Sequence, residues 1–155
     1  HDWLQVVGLF GVIGSLIFVG LQMKQDREIA LSAATQARTE TTIQNILGVA
    51  SNPYYMSAVD KISNGAGDTL TASERHGIRM QSTAALFNFE NIHYQYQQGF
   101  IPPDRFAATR ETLKGLLRMP WGPRQHFESN PRAWRASFQQ VVNELIAEID
   151  AEEAN

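Results

Sequence analysis

Trp3–Met23, WLQVVGLFGVIGSLIFVGLQM, contains no charged residue, and Gln5, Ser15 and Gln22 are its only strongly polar side chains. At about 1.5 Å of rise per residue these positions form a helix roughly 31 Å long, the hydrocarbon thickness of a bilayer. The stretch therefore reads as one transmembrane helix. A cleavable signal has a shorter apolar region followed by small residues, and Leu21-Gln22-Met23-Lys24-Gln25 offers no such site. A buried core helix seldom runs this far without a charge.

Flanking charge sets the expected orientation. Lys24, Arg27 and Arg38 follow the segment, whereas His1 and Asp2 precede it. Positive residues favour the cytoplasmic side, so the remainder of the chain is expected in the cytoplasm, under a bacterial inner membrane. Trp3 then belongs at the far interface, and Lys24 and Arg27 at the near one, where lysine can snorkel. Within the span Gly8, Gly11 and Ser15 recur three and four residues apart, so they share one face of the helix. Small residues at that spacing allow close backbone approach, the usual means by which helices associate in lipid. The expected partners are thus membrane lipid and the transmembrane helix of another subunit. A charge-free helix cannot by itself form a pore or a proton path.

The other residues read as helix throughout, so the fold class is all-α. Residues 1–23 form the anchor, 24–52 a helical stalk, and 53–155 a soluble bundle whose short loops imply antiparallel neighbours. Lys24–Ala50 has no proline and is rich in helix formers. Its apolar residues are small at first and larger later, and Ile43, Ile46 and Leu47 are expected to enter the core. Pro53 ends that helix and starts a second, to about Ile62. Thr71 and Glu74 form a capping box for the third, whose seam is read as Ile78, Ser82, Ala85, Phe89, Ile92 and Tyr96. Gly99 and Pro102-Pro103 end it. A fourth helix covers about Asp104 to Arg118. The last is expected to start with Asn130 as cap and Pro131 at its first position, burying Trp134, Phe138, Val141, Leu145 and Ile149.

Net charge is −3, which disfavours a nucleic-acid partner, but its distribution is uneven. Residues 105–135 carry +5 and the chain from Glu144 onward carries −5, with no base. Arg118, Trp121, Arg124, Arg132 and Arg135 form an arginine–aromatic stretch suited to an anionic lipid headgroup or an acidic partner surface. The alternative is that its tryptophans pack the bundle while its arginines pair with Glu90 and the acidic tail. That tail is expected to be a solvated helix end that frays, since acids there oppose the helix dipole.

Catalytic signals are sparse. With no cysteine there is no disulfide or thiolate chemistry. Asn64-Gly65-Ala66-Gly67 lacks the Lys-Ser/Thr ending of a phosphate loop, and there is no nucleophile elbow. Glu90 and His93, three apart on a helix, are the only candidate metal ligands, and a di-metal bundle site needs two such pairs and further carboxylates. The simpler reading pairs Glu90 with an arginine, Arg79 or one from the fourth or last helix. No cofactor is expected, and the chain is read as non-enzymatic.

Val19–Gln25 (VGLQMKQ), Phe87–Asn91 (FNFEN), Tyr94-Gln95-Tyr96 and Gly99-Phe100-Ile101, with Trp134 and Phe138, give the chain a likeness. It resembles a family of uncharacterised bacterial proteins with a single membrane anchor and a helical domain. The resemblance implies a membrane-anchored helical protein; it brings no activity and assigns no role to His93. The leading expectation is a non-catalytic accessory or scaffold subunit of a membrane complex. A tethered sensor for a small ligand or anionic lipid comes second, and a metal enzyme using Glu90 and His93 third.

Overall fold

The computed structural model describes residues 2–154, and among them there are six α-helices and no strand. They are α1 (Asp2–Ser51), α2 (Pro53–Ser63), α3 (Ala72–Gln97), α4 (Pro103–Leu117), α5 (Pro123–Ser129) and α6 (Ala136–Glu153). Short 3-10 turns occupy Gly67–Thr69 and Pro131–Ala133. His1, used in the flanking-charge argument, lies outside the described residues, as does the side chain of Asp2. The fold is therefore all-helical with one long apolar N-terminal helix.

α1 runs 50 residues without a break, far more than the roughly 20 a bilayer requires. It is long and apolar enough to cross a membrane, and none of its most apolar window is buried inside the chain. The chain divides into two units within this helix, one ending at Ile43 and the other starting at Gln44. Ile43, Ile46 and Leu47 do not enter the core, contrary to expectation; all three are exposed. The core needs no contribution from them, because α3, α4, α5 and α6 with Trp134 supply it.

In the second unit, local chemistry places the helix ends. Asn52 caps α2 by accepting hydrogen bonds from the backbone N–H groups of Tyr54 and Tyr55, both at 3.1 Å. Gly99, at φ +75°, closes α3. Its N–H reaches the Tyr96 carbonyl at 2.9 Å and the Phe100 N–H reaches that of Gln95 at 3.0 Å, a left-handed cap that a residue with a Cβ adopts only under strain. Gly65, at φ +76°, ends α2 in the same way.

The Thr71–Glu74 capping box is present, and Glu74 also binds α2. It accepts from Ser57 Oγ at 2.6 Å and Lys61 Nζ at 2.8 Å. Lys61, then Ser57 and the Thr71 backbone, hold its carboxyl at about pKa 2, so the buried group is a fully satisfied anion. Contacts fall from Lys61–Glu74 to Tyr55–Gly77, so α2 and α3 run in opposite directions. A Cβ on Gly77 would lie 3.2 Å from the Tyr55 nitrogen, which is why the two backbones can approach there.

Leu86, Phe89, Leu113, Leu117, Phe127, Trp134, Phe138, Val142, Leu145 and Ile149 form one core cluster. The α3 seam is rotated from the expected one: Ser82, Leu86, Phe89 and His93 are buried, whereas Ile78, Ala85, Ile92 and Tyr96 are half-buried. Several helices cover α3, so it buries a broad face rather than a single stripe. The last helix also starts later than expected. Asn130 heads only the 3-10 turn, without a side-chain cap, and α6 begins at Ala136. Trp134 must reach the core between the two, and extended backbone there delivers its ring against Phe87 (centroids 4.9 Å apart) and Phe138 (6.3 Å).

The opposed charges of α4 and α6 meet. Arg110 contacts Glu144 and Glu148, Lys114 contacts Glu148 and Glu152, and Arg118 contacts Glu152. Each series repeats every four residues, and the partners rise together, so α4 and α6 run parallel rather than antiparallel. α5 and its flanking turns provide the return that a parallel pair requires. α6 stays helical to Glu153; Glu144, Glu148 and Glu152 reach α4 and Asp150 reaches Arg124, while residues 151–154 are exposed, as expected of a solvated end. Lys114, followed by Arg110, holds the Glu148 carboxyl below its ordinary range.

Candidate functional site

Three regions contain the residues singled out by sequence. On α1, a Cβ built at Gly8 or Gly11 meets nothing within 4 Å. The Ser15 hydroxyl donates to the Val12 carbonyl at 2.8 Å, satisfying its polar group on the helix itself. The face is sterically small and chemically quiet. Trp3, Lys24 and Arg27 are all exposed at the two ends of the apolar stretch.

Glu90 and His93 do not act as a pair. Glu90 Oε1 accepts the backbone N–H of Arg135 at 2.7 Å, which fastens the entry of α6 to α3. Its partner is thus a peptide group, not the guanidinium expected from sequence. The Arg135 guanidinium instead lies 4.4 Å above the Tyr94 ring. His93 is 7 % exposed and sits beside Phe106 (5.5 Å) and Phe138 (6.1 Å). Neither ring nitrogen has a protein hydrogen-bond partner. The adjoining cavity, about 10 Å³, is water-sized at most. Among the described residues no three His, Cys, Asp or Glu side chains converge to hold a metal.

Burial pushes the His93 pKa down, with the Glu90 charge pulling the other way; Arg110 of α4, paired with Glu148, lines the same cavity. His126 is lowered too, by burial and then by Arg79. The unfolded chain binds protons on these rings from about pH 6.5 downward, while the fold resists them. Stability should therefore rise with pH in the region just below 6.5 and be lost on acidification. His93→Phe, which keeps an aromatic ring in the same site, is expected to flatten the dependence of the unfolding midpoint between about pH 7.5 and 5.5. An unchanged slope would show that His93 does not contribute to it.

The third region is a cavity of about 540 Å³ between α3, α5 and the turns that flank them, within the size range of small-molecule sites. Ile62, Leu70, Ile78 and Trp121 supply its apolar wall; Arg75, Arg79 and His126 supply its bases; no Asp or Glu lines it. Local geometry fixes these groups. Arg75 Nη1 donates to the Leu70 carbonyl. Arg79 Nη2 lies 3.0 Å from His76 Nδ1. The Thr83 hydroxyl donates to the Arg79 carbonyl at 2.8 Å, so its oxygen accepts from His126 Nε2–H at 2.9 Å. Trp121 meets the Tyr55 ring edge-on at 6.2 Å. Gly122 lets this turn close on α4, since a Cβ there would lie 2.4 Å from the Leu116 carbonyl oxygen.

The arginine–aromatic stretch read from sequence sends its groups to separate partners. Arg118 pairs with Glu152. Arg124 forms a fork with Asp150 (2.6 and 3.1 Å) and bonds Glu128 at 2.9 Å; Asp150, then Glu128, raise its pKa further. Arg132 is exposed on the 3-10 turn. Of the five residues only Trp121 lines the cavity. Sequence reading missed Arg75, weighed His126 only as a metal ligand lacking a Glu three residues before it, and considered Arg79 only as a partner for Glu90. The one available signal was the four-residue spacing of Arg75 and Arg79, which places both on the same side of α3.

Among the described residues, these elements define an all-helical protein with a span-length apolar helix and a ligand-sized cavity. Comparison with known proteins finds no matching family model, no matching curated protein and no matching solved structure.

Proposed function

We propose that the protein is a non-catalytic, single-pass accessory or scaffold subunit of a bacterial inner-membrane complex, with its helical domain on the cytoplasmic side. The observation that carries this reading is the apolar stretch of α1, exposed along its length and matched to a bilayer. Water is a poor solvent for such a surface, and lipid is a good one. Docking on a partner helix is supported by Gly8, Gly11 and Ser15, small residues sharing one face, where a Cβ at either glycine would meet nothing within 4 Å. Extracted from native membranes in mild detergent, the protein is expected to migrate in a larger assembly, and Gly11→Ile with Ser15→Ile to release it. A wild-type protein that migrates alone would contradict the docking role.

A second reading, a membrane-tethered sensor for a small ligand or anionic lipid, is favoured by the cavity of about 540 Å³.

A further inference from the structure

We infer that the cavity between α3 and α5 binds an amphipathic anion, with a carboxylate or phosphate head on Arg75 and Arg79 and an apolar body against Ile62, Leu70, Ile78 and Trp121. The inference rests on the sensor reading, whose ligand class it names, and it takes the site away from the Arg118–Arg135 stretch.

The argument begins with where the charges of the second unit go. Lys61, Arg110, Lys114, Arg118 and Arg124 each have a carboxylate partner; Arg105, Arg132 and Arg135 form no ion pair among the described residues but do not line the cavity. Arg75 and Arg79 both line the cavity and, among the described residues, neither forms an ion pair: Arg75 bonds a carbonyl and Arg79 lies against the His76 ring nitrogen. Two exposed guanidinium groups one turn apart, beside a wall without acids, make a region of positive potential that attracts an anion. Guanidinium geometry suits carboxylate and phosphate oxygens through paired hydrogen bonds. His126 adds less to this charge, because burial and then the Arg79 guanidinium disfavour its protonated form.

The rest of the cavity is not built for a small ion. Three aliphatic side chains and an indole would gain nothing from hydrated phosphate, whereas burying an alkyl or aromatic body there removes apolar surface from water on both sides. A charged head and an apolar body together use both halves of the site. Such a molecule could be a membrane lipid or a soluble amphiphile; the recognition chemistry is the same.

The test uses the full chain in phosphatidylcholine nanodiscs, labelled with 5-fluorotryptophan. Its three tryptophans, Trp3, Trp121 and Trp134, give three fluorine resonances, of which only Trp121 belongs to the cavity. Dodecanoate and dodecyl phosphate are expected to shift the Trp121 resonance saturably while Trp3 and Trp134 stay in place. Dodecanol and dodecyltrimethylammonium should leave Trp121 unmoved at the same concentrations. Arg75→Gln with Arg79→Gln should weaken the response roughly tenfold or more. If that pair disturbs folding, Arg79→Gln alone should weaken it, and Gln125→Phe, which adds a ring at the exposed edge of the cavity without adding a fluorine reporter, should abolish it. Phosphatidic acid in the disc, with nothing added, would identify a lipid source if it shifts Trp121; a response only to the added amphiphiles identifies a soluble one. Equal shifts with all four amphiphiles would overturn the anion and leave an apolar ligand site. No shift with any would overturn both the inference and the sensor reading.

Discussion

Arginine at Ile13 and Ile17 together is expected to release the protein from membranes. Both residues are exposed on α1, near the middle of the apolar stretch. Each arginine at the centre of a spanning helix costs about 2.5–3.5 kcal/mol in insertion, so the pair costs roughly 5–7 kcal/mol. The wild-type protein should stay with the membrane pellet through alkaline carbonate extraction, the double-arginine variant should appear in the supernatant, and the Ile13→Leu, Ile17→Leu control should behave as wild type. Equal retention of both variants would mean that something other than insertion of α1 holds the protein to the pellet. The second unit draws its core from α3 to α6, so its unfolding should be unaffected.

The second large effect is in that core. Phe138 is 1 % exposed, and its ring lies among Trp134, His93 and the aliphatic residues of α4 and α6. Phe138→Ala should destabilise the domain by about 3–5 kcal/mol through lost burial and the cavity left behind. Against a typical total of roughly 5–15 kcal/mol, that is enough to bring the domain close to unfolding. Urea denaturation followed by circular dichroism would show the midpoint fall. Phe87→Ala provides the contrast. Phe87 touches Trp134 edge-on but is 54 % exposed, so its loss should be limited to about the 0.5–1.5 kcal/mol of an aromatic pair. Equal effects at the two positions would mean that the core is not centred on α6.

What was legible in the sequence was local. Asn52-Pro53, Thr71 with Glu74, and Gly99 each act through hydrogen bonds within a few residues, and each marks a helix end in the structure. The apolar length of Trp3–Met23 is a property of the stretch itself. The start of α6 was not legible because it depends on a remote partner: Trp134 is drawn into the core beside Phe87, and Glu90, forty-five positions earlier, accepts the Arg135 N–H. The two blocks of opposite charge were visible, but not that matching four-residue repeats would join parallel helices. The cavity was hidden for the same reason. Arg75 and Arg79 gain their meaning from Trp121 and His126, which only the packing of α5 on α3 brings near.

The central claim, that α1 crosses a bilayer, is tested most directly by accessibility, and the absence of native cysteine makes this simple. Single substitutions Ile13→Cys and Ser32→Cys are exposed to a membrane-impermeant maleimide in sealed vesicles of both orientations. The prediction is that Ile13→Cys resists labelling from either side until detergent is added, while Ser32→Cys reacts only from the cytoplasmic face. Ready labelling of Ile13→Cys in intact vesicles would contradict it.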